Sequence, residues 1–108
     1  MTLSESEFQK RIINELALRY PGAIILKNDP EYIQGIPDWL MLYGRTWAAF
    51  EIKKSENSRI QPNQEYYVDL LDEMSFARFI YPENEEKVFY ELQRSLESGR
   101  ITRFSVRK

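Results

Sequence analysis

Apolar residues first recur at helical spacing. Phe8, Ile12, Ile13 and Leu16 lie three or four apart, the stripe of an amphipathic helix. Ser4, with Glu7 three residues on, forms a capping box at its start, and Pro21-Gly22 stops it, so the spacing predicts a helix over 4–22. The run "AIILK" at 23–27 is a short strand, and the polar segment 28–37, with its Pro and Gly residues, is a loop. Two apolar runs follow at 38–43 and 46–53, separated only by Gly44-Arg45. Glycine leading a two-residue connection is the signal of a type II′ hairpin. A polar loop at 54–60 leads into a second helix over 61–74, with Pro62 in the first turn, where its missing N–H is least costly. "FARFIY" at 76–81 predicts a fourth strand. A third helix over 83–99 carries Val88, Phe89, Leu92 and Leu96 inward, Gly99 closes it, and a short basic tail follows.

The predicted order is helix, three strands, helix, strand, helix. The third strand, second helix and fourth strand make a crossover unit, which requires parallel strands and a right-handed connection. The expected fold is therefore α/β, a mixed sheet flanked by helices. At 108 residues, the chain 1–108 is expected to form a single domain around one core.

The hairpin carries three charges where burial is expected. Counting outward from the turn, Tyr43 faces Thr46 and Asp38 faces Glu51, with side chains roughly 5 Å apart across the ladder. Alternation puts Lys53 on the face of Glu51 and Ile52 on the other. On the charged face Leu40 pairs with Ala49 and Leu42 with Trp47; on the opposite face Trp39 pairs with Phe50 and Met41 with Ala48. Both faces are apolar, as in a sheet covered on both sides. Two carboxylates opposed at the rim of such a surface repel each other, and partial desolvation strengthens the repulsion. One reading makes Asp38 a polar strand-start residue and Glu51 a surface partner of Lys53 or Lys54. The other makes the pair a cation site, with Lys53 offsetting part of the charge.

Composition narrows the chemistry. The chain has no Cys and no His, which excludes disulfides, zinc ribbons, thiol catalysis, imidazole bases and the two-His zinc helix. Any metal must be held by oxygen, which suits Mg²⁺, Mn²⁺ or Ca²⁺. Net charge is −2, so contact with phosphates would rely on local positives: Lys27, Lys54, Arg59, and the tail with Arg100, Arg103, Arg107 and Lys108. No apolar run approaches the roughly 20 residues that span a bilayer, and the amino terminus lacks a signal pattern. The expected location is the cytoplasm of a bacterium or a phage-infected cell, with no membrane partner.

Gly35-Ile36-Pro37-Asp38 before one strand and Glu51-Ile52-Lys53 at the end of the next resemble the P-D…(D/E)-x-K signature of the PD-(D/E)XK nuclease superfamily. With Pro62-Asn63-Gln64 at a helix start, the order resembles the small VRR-NUC nucleases of phages and bacteria, over about residues 5–96. The resemblance implies a restriction-endonuclease-like α-β-β-β-α-β core and metal-dependent hydrolysis of DNA phosphodiesters. It implies that Asp38, Glu51 and the backbone carbonyl of Ile52 hold Mg²⁺ or Mn²⁺, and that Lys53 orients or helps to deprotonate the attacking water. The family's acidic residue on the first helix falls best on Glu7, with Glu5 and Gln9 as rivals, although Glu7 is also the capping-box acid. Gln64 either reaches the site or is an exposed first-turn residue. Tyr32 either stacks on a base or covers the core, and the core is the expected place. Stand-alone members of this size are similar in scale to Holliday junction resolvases, which implies a branched DNA substrate and a homodimer. The competing expectation is a non-catalytic DNA- or protein-binding module that kept the nuclease fold.

Overall fold

The computed structural model describes residues 3–106, with side chains through Glu97. Its elements run α1 (Glu5–Arg19), β1 (Ile24–Lys27), β2 (Trp39–Tyr43), β3 (Thr46–Ile52), α2 (Pro62–Met74), β4 (Ala77–Ile80) and α3 (Glu85–Val106). The sheet order is β1-β2-β3-β4, antiparallel at the first two pairings and parallel at the third. This is the mixed sheet and parallel crossover that the element order predicts.

The hairpin fixes the register. Gly44 has φ +60°, and no non-glycine among the described residues has a positive φ, which is the type II′ pattern with glycine first. Tyr43 pairs with Thr46, and the ladder runs without a slip to Trp39 opposite Phe50. Every residue of the hairpin therefore keeps the face assigned by counting from the turn.

The two faces are covered differently. Met41, Ala48, Phe50, Ile52 and Ile80 are buried with Phe8, Ile12 and Leu16 of α1 and Val88, Phe89 and Leu92 of α3. Arg11 holds Glu85 through a guanidinium fork, at 2.6 and 3.1 Å, tying α1 to α3. On the other face Ala49 and Ala77 lie under Val68 and Leu71, small strand residues that let α2 sit close. Because α2 packs on β3 and β4, β1 and β2 stay open on that face: Ile24 is 57 % exposed, Leu26 44 % and Leu42 37 %.

Two expectations fail. Gly99 does not close the third helix, since α3 continues to Val106. A glycine ends a helix only where the chain turns left-handed, and one inside a helix costs only about 1 kcal/mol relative to alanine. The basic stretch before Arg107 is thus helical. Tyr32 does not cover the core; it is 89 % exposed. The loop closes on its own backbone: the Glu31 N–H donates to Asp29 Oδ1 at 2.9 Å, Tyr32 N–H to the Asp29 carbonyl at 3.2 Å, and Ile36 N–H to the Ile33 carbonyl at 3.2 Å. That turn aims Tyr32 outward while Pro37 is buried.

The loop is pinned to α2 at Gly35. Its φ is +93°, and a Cβ there would lie 2.7 Å from the carbonyl carbon and oxygen of Asn63. Both the backbone angle and the contact demand glycine. Gly35→Ala is expected to destabilise the fold by about 1–3 kcal/mol, read as a lower urea midpoint. An unchanged midpoint would show that the loop is not held against α2.

Candidate active site

Glu51, next to last in β3, is only 3 % exposed and is the one buried charged residue among those described. Its face is fixed by alternation with Ala49, which lies under α2. Lys53, two residues on, returns to that face, and its Nζ stands 3.8 Å from Glu51 Oε2. The same oxygen receives Gln64 Nε2 at 3.5 Å. Gln64 Oε1 accepts from Lys53 Nζ at 3.2 Å and from the Gln61 N–H at 2.9 Å. Gln64 thus joins the charged pair to the first turn of α2 and does not stand free in solvent. The contact with Gln61 had a sequence signal that went unread, a Gln three residues after the helix cap.

Asp38 immediately precedes β2, one step beyond the Trp39–Phe50 pair. Its carbonyl accepts the Asn28 N–H at 2.7 Å, and the Asn28 side chain donates to the Pro37 carbonyl at 2.8 Å. These bonds hold the Pro-Asp segment against the end of β1. Glu51 registers the result: burial, and then the like charge of Asp38, push its carboxyl up to about 7 from an ordinary value near 4.5. Lys53 and a hydrogen bond from the Asp38 backbone pull the other way, and Glu5 adds a smaller push upward.

The first helix contributes differently from the sequence assignment. The Glu7 carboxylate accepts the Ser4 N–H at 3.0 Å, completing the capping box, and Glu7 is not among the charges that act on Glu51. Glu5 is. Glu5 and Gln9, four apart, share a helix face, whereas Glu7 points about 200° away from Glu5. Sequence spacing could not reveal which face meets the sheet end.

Among the described side chains, the candidate DNA-facing positives do not gather. Lys27, paired with Trp39, lies on the face opposite Glu51, its Nζ 5.6 Å from the centre of the Trp39 ring. Lys54 and Arg59 are exposed and make no ion pair among the described residues. Arg103 sits on α3, and its side chain lies outside the described residues.

Among the described residues no group of three or more Asp or Glu side chains is gathered as a metal cluster. What the entry to β2 and the end of β3 supply is two carboxylates, of which Glu51 is buried and only partly compensated by Lys53 at 3.8 Å. That donor set fits a hard divalent ion, which would favour the ionised form of Glu51 and relieve the repulsion from Asp38.

No family model matches the chain, and no curated protein matches it. Among solved structures, a protein described as "VRR_NUC domain protein" is similar at a TM-score of 0.63, with 20 % identity, over 90 % of this chain and 91 % of that one. At that identity the likeness is one of fold: the chain has a restriction-endonuclease-like α-β-β-β-α-β core, with α3 following it. No helix among the described residues is long and apolar enough to cross a membrane.

The buried carboxyl makes metal-free stability depend on pH. Below about pH 4.5 Glu51 is protonated both folded and unfolded and contributes nothing. Between 4.5 and about 7 the unfolded chain releases its proton first, so stability falls as pH rises, by about 3 kcal/mol in total. Glu51→Gln, which cannot ionise, is expected to be more stable than the wild type by about that amount at pH 8 in chelator and equal to it at pH 4. Urea titrations at the two pH values measure this, and a variant less stable at pH 8 would contradict the burial argument.

Proposed function

We propose that the chain is a divalent-metal-dependent DNA endonuclease of the VRR-NUC family. The observation that carries this is the buried Glu51, its pKa raised by burial and by the charge of Asp38, with Lys53 on the same strand face and Gln64 reaching both from the first turn of α2. A buried structural ion pair needs no second carboxylate, and this arrangement is strained without a cation. Asp38, Glu51 and the backbone carbonyl of Ile52 are the groups that would hold Mg²⁺ or Mn²⁺, with Glu5, in place of Glu7, as the first-helix acid. When bound, such an ion lowers the pKa of water and stabilises negative charge on phosphate oxygens.

The chain's own groups do the rest. Glu51 would have to be ionised to hold the ion, so metal affinity should fall as pH drops below about 7. Lys53, steered by Gln64 Oε1 at 3.2 Å, presents an ammonium that orients a water or a phosphate oxygen as a point charge. Gln64 bridges that ammonium and the Glu51 carboxylate, which stand 3.8 Å apart. No imidazole is required.

Net charge of −2 disfavours tight binding to uniform duplex through phosphates alone. That favours a substrate chosen by shape, branched DNA above all; a two-fold homodimer would place two sites on such a substrate.

Labelled junction, flap, nicked and linear DNA, each incubated with Mg²⁺ and with Mn²⁺, tests the proposal. Cleavage of a branched substrate is expected, falling at least roughly a hundredfold in Asp38→Asn. Millimolar Mn²⁺ should raise the wild-type Tm by mass action and leave that of Glu51→Gln unmoved. No cleavage of any substrate and a metal-independent Tm would leave the non-catalytic binding module as the better account.

A further inference from the structure

Beside the carboxylates, on the face that α2 leaves open, lies a cavity of about 530 Å³, within the size range of small-molecule sites. Its floor includes Leu40 and Ala49, each two residues along its strand from Asp38 and Glu51 on the same face. Two residues of strand span about 7 Å, so the floor begins about one nucleotide step from the carboxylates. Trp47 lies across the floor, and the exposed Tyr32 stands at the rim.

Resting on the nuclease reading above, we infer that this cavity receives one unpaired nucleobase of the DNA strand, that of the nucleotide adjacent to the scissile phosphate, with Tyr32 stacking on it.

Three observations favour a base as the occupant. The cavity is apolar in its depth and carries aromatic groups at its floor and rim, which suits the faces of a base, since base–aromatic stacking tolerates any sequence. Its polar rim is Asn28 and Asp29. The Asn28 amide nitrogen is committed to the Pro37 carbonyl at 2.8 Å, and one Asp29 oxygen to the Glu31 N–H at 2.9 Å, which leaves acceptor oxygens free. Acceptors beside a carboxylate repel a phosphate and suit the amino and ring N–H groups of a base edge. Finally, the wall is preorganised: the loop carrying Tyr32 is closed by its own backbone bonds and pressed on Asn63 at Gly35, so Tyr32 is held out in solvent rather than folded over the opening.

A base can enter only if it is unpaired, or after it has been extruded, and extrusion is least costly at a mismatch, flap or branch. The cavity thereby supplies a reason for structure selectivity that the carboxylates alone do not.

The test uses the full chain in Mn²⁺ on a flap substrate whose cleavage position has been mapped. Removing the base on either side of that position, one at a time, should lower the rate about tenfold on one side only. Tyr32→Ala, at an exposed position that the fold does not need, should lower the rate on the intact flap by a similar factor and have no further effect on the base-less flap. In Ca²⁺, 2-aminopurine at the sensitive position should lose fluorescence on binding to the wild type and keep it with Tyr32→Ala. Equal rates on intact and base-less flaps, with Tyr32→Ala unchanged, would overturn the base site and leave the nuclease reading standing. No cleavage of any substrate would overturn both. A dimer in sedimentation that Leu42→Glu dissolves would assign the open face to a second copy and also overturn the base site.

Discussion

The candidate site is organised around one unfavourable interaction: Glu51, withdrawn from water at the end of β3, feels the like charge of Asp38 at the entry to β2. Isolated, such a pair costs free energy through desolvation and like-charge repulsion together, and Glu51 responds by holding its proton up to about pH 7. A fold that places this pair at the end of its central strands must have stability to spare elsewhere. The buried cluster between the sheet and the helices α1 and α3 supplies it.

Each surrounding element has an identifiable part in keeping the pair together. The glycine-led turn sets the register, so Asp38 and Glu51 arrive at the same end of the ladder. Parallel pairing with β4 anchors the end of β3, where the Lys53 N–H donates to the Ile80 carbonyl at 2.8 Å. Ala49 and Ala77 let α2 approach closely enough for Gln64 to reach both Glu51 and Lys53. Gly35 lets the loop before Asp38 touch the same helix end. The loop and α2 are therefore mechanically coupled to the site from both sides.

Local rules made the fold and the grouping of the hairpin charges readable. A two-residue turn leaves one register, and period-two alternation then assigns every side chain of the hairpin to a face, which is why Asp38, Glu51 and Lys53 could be grouped without coordinates. What was hidden depends on long-range docking. Whether Glu5 or Glu7 meets the sheet end is set by how α1 lies on β3, and spacing within α1 cannot reveal that. The separation of Lys27 from the carboxylates follows from its pairing with Trp39, a partnership made across the loop 28–38. Tyr32 and Gly99 mislead for a different reason: an aromatic in a loop suggests a core role and a late glycine suggests a stop, yet both outcomes turn on backbone geometry that composition does not encode.

Whether the buried Glu51 carboxyl takes up a cation, as proposed, is tested most directly by a ¹³C titration of that carboxyl in chelator and in saturating Mg²⁺. A midpoint near 7 without metal, falling well below that in Mg²⁺, is the predicted result. A midpoint near the ordinary 4.5 without metal, or one that Mg²⁺ leaves in place, would contradict it.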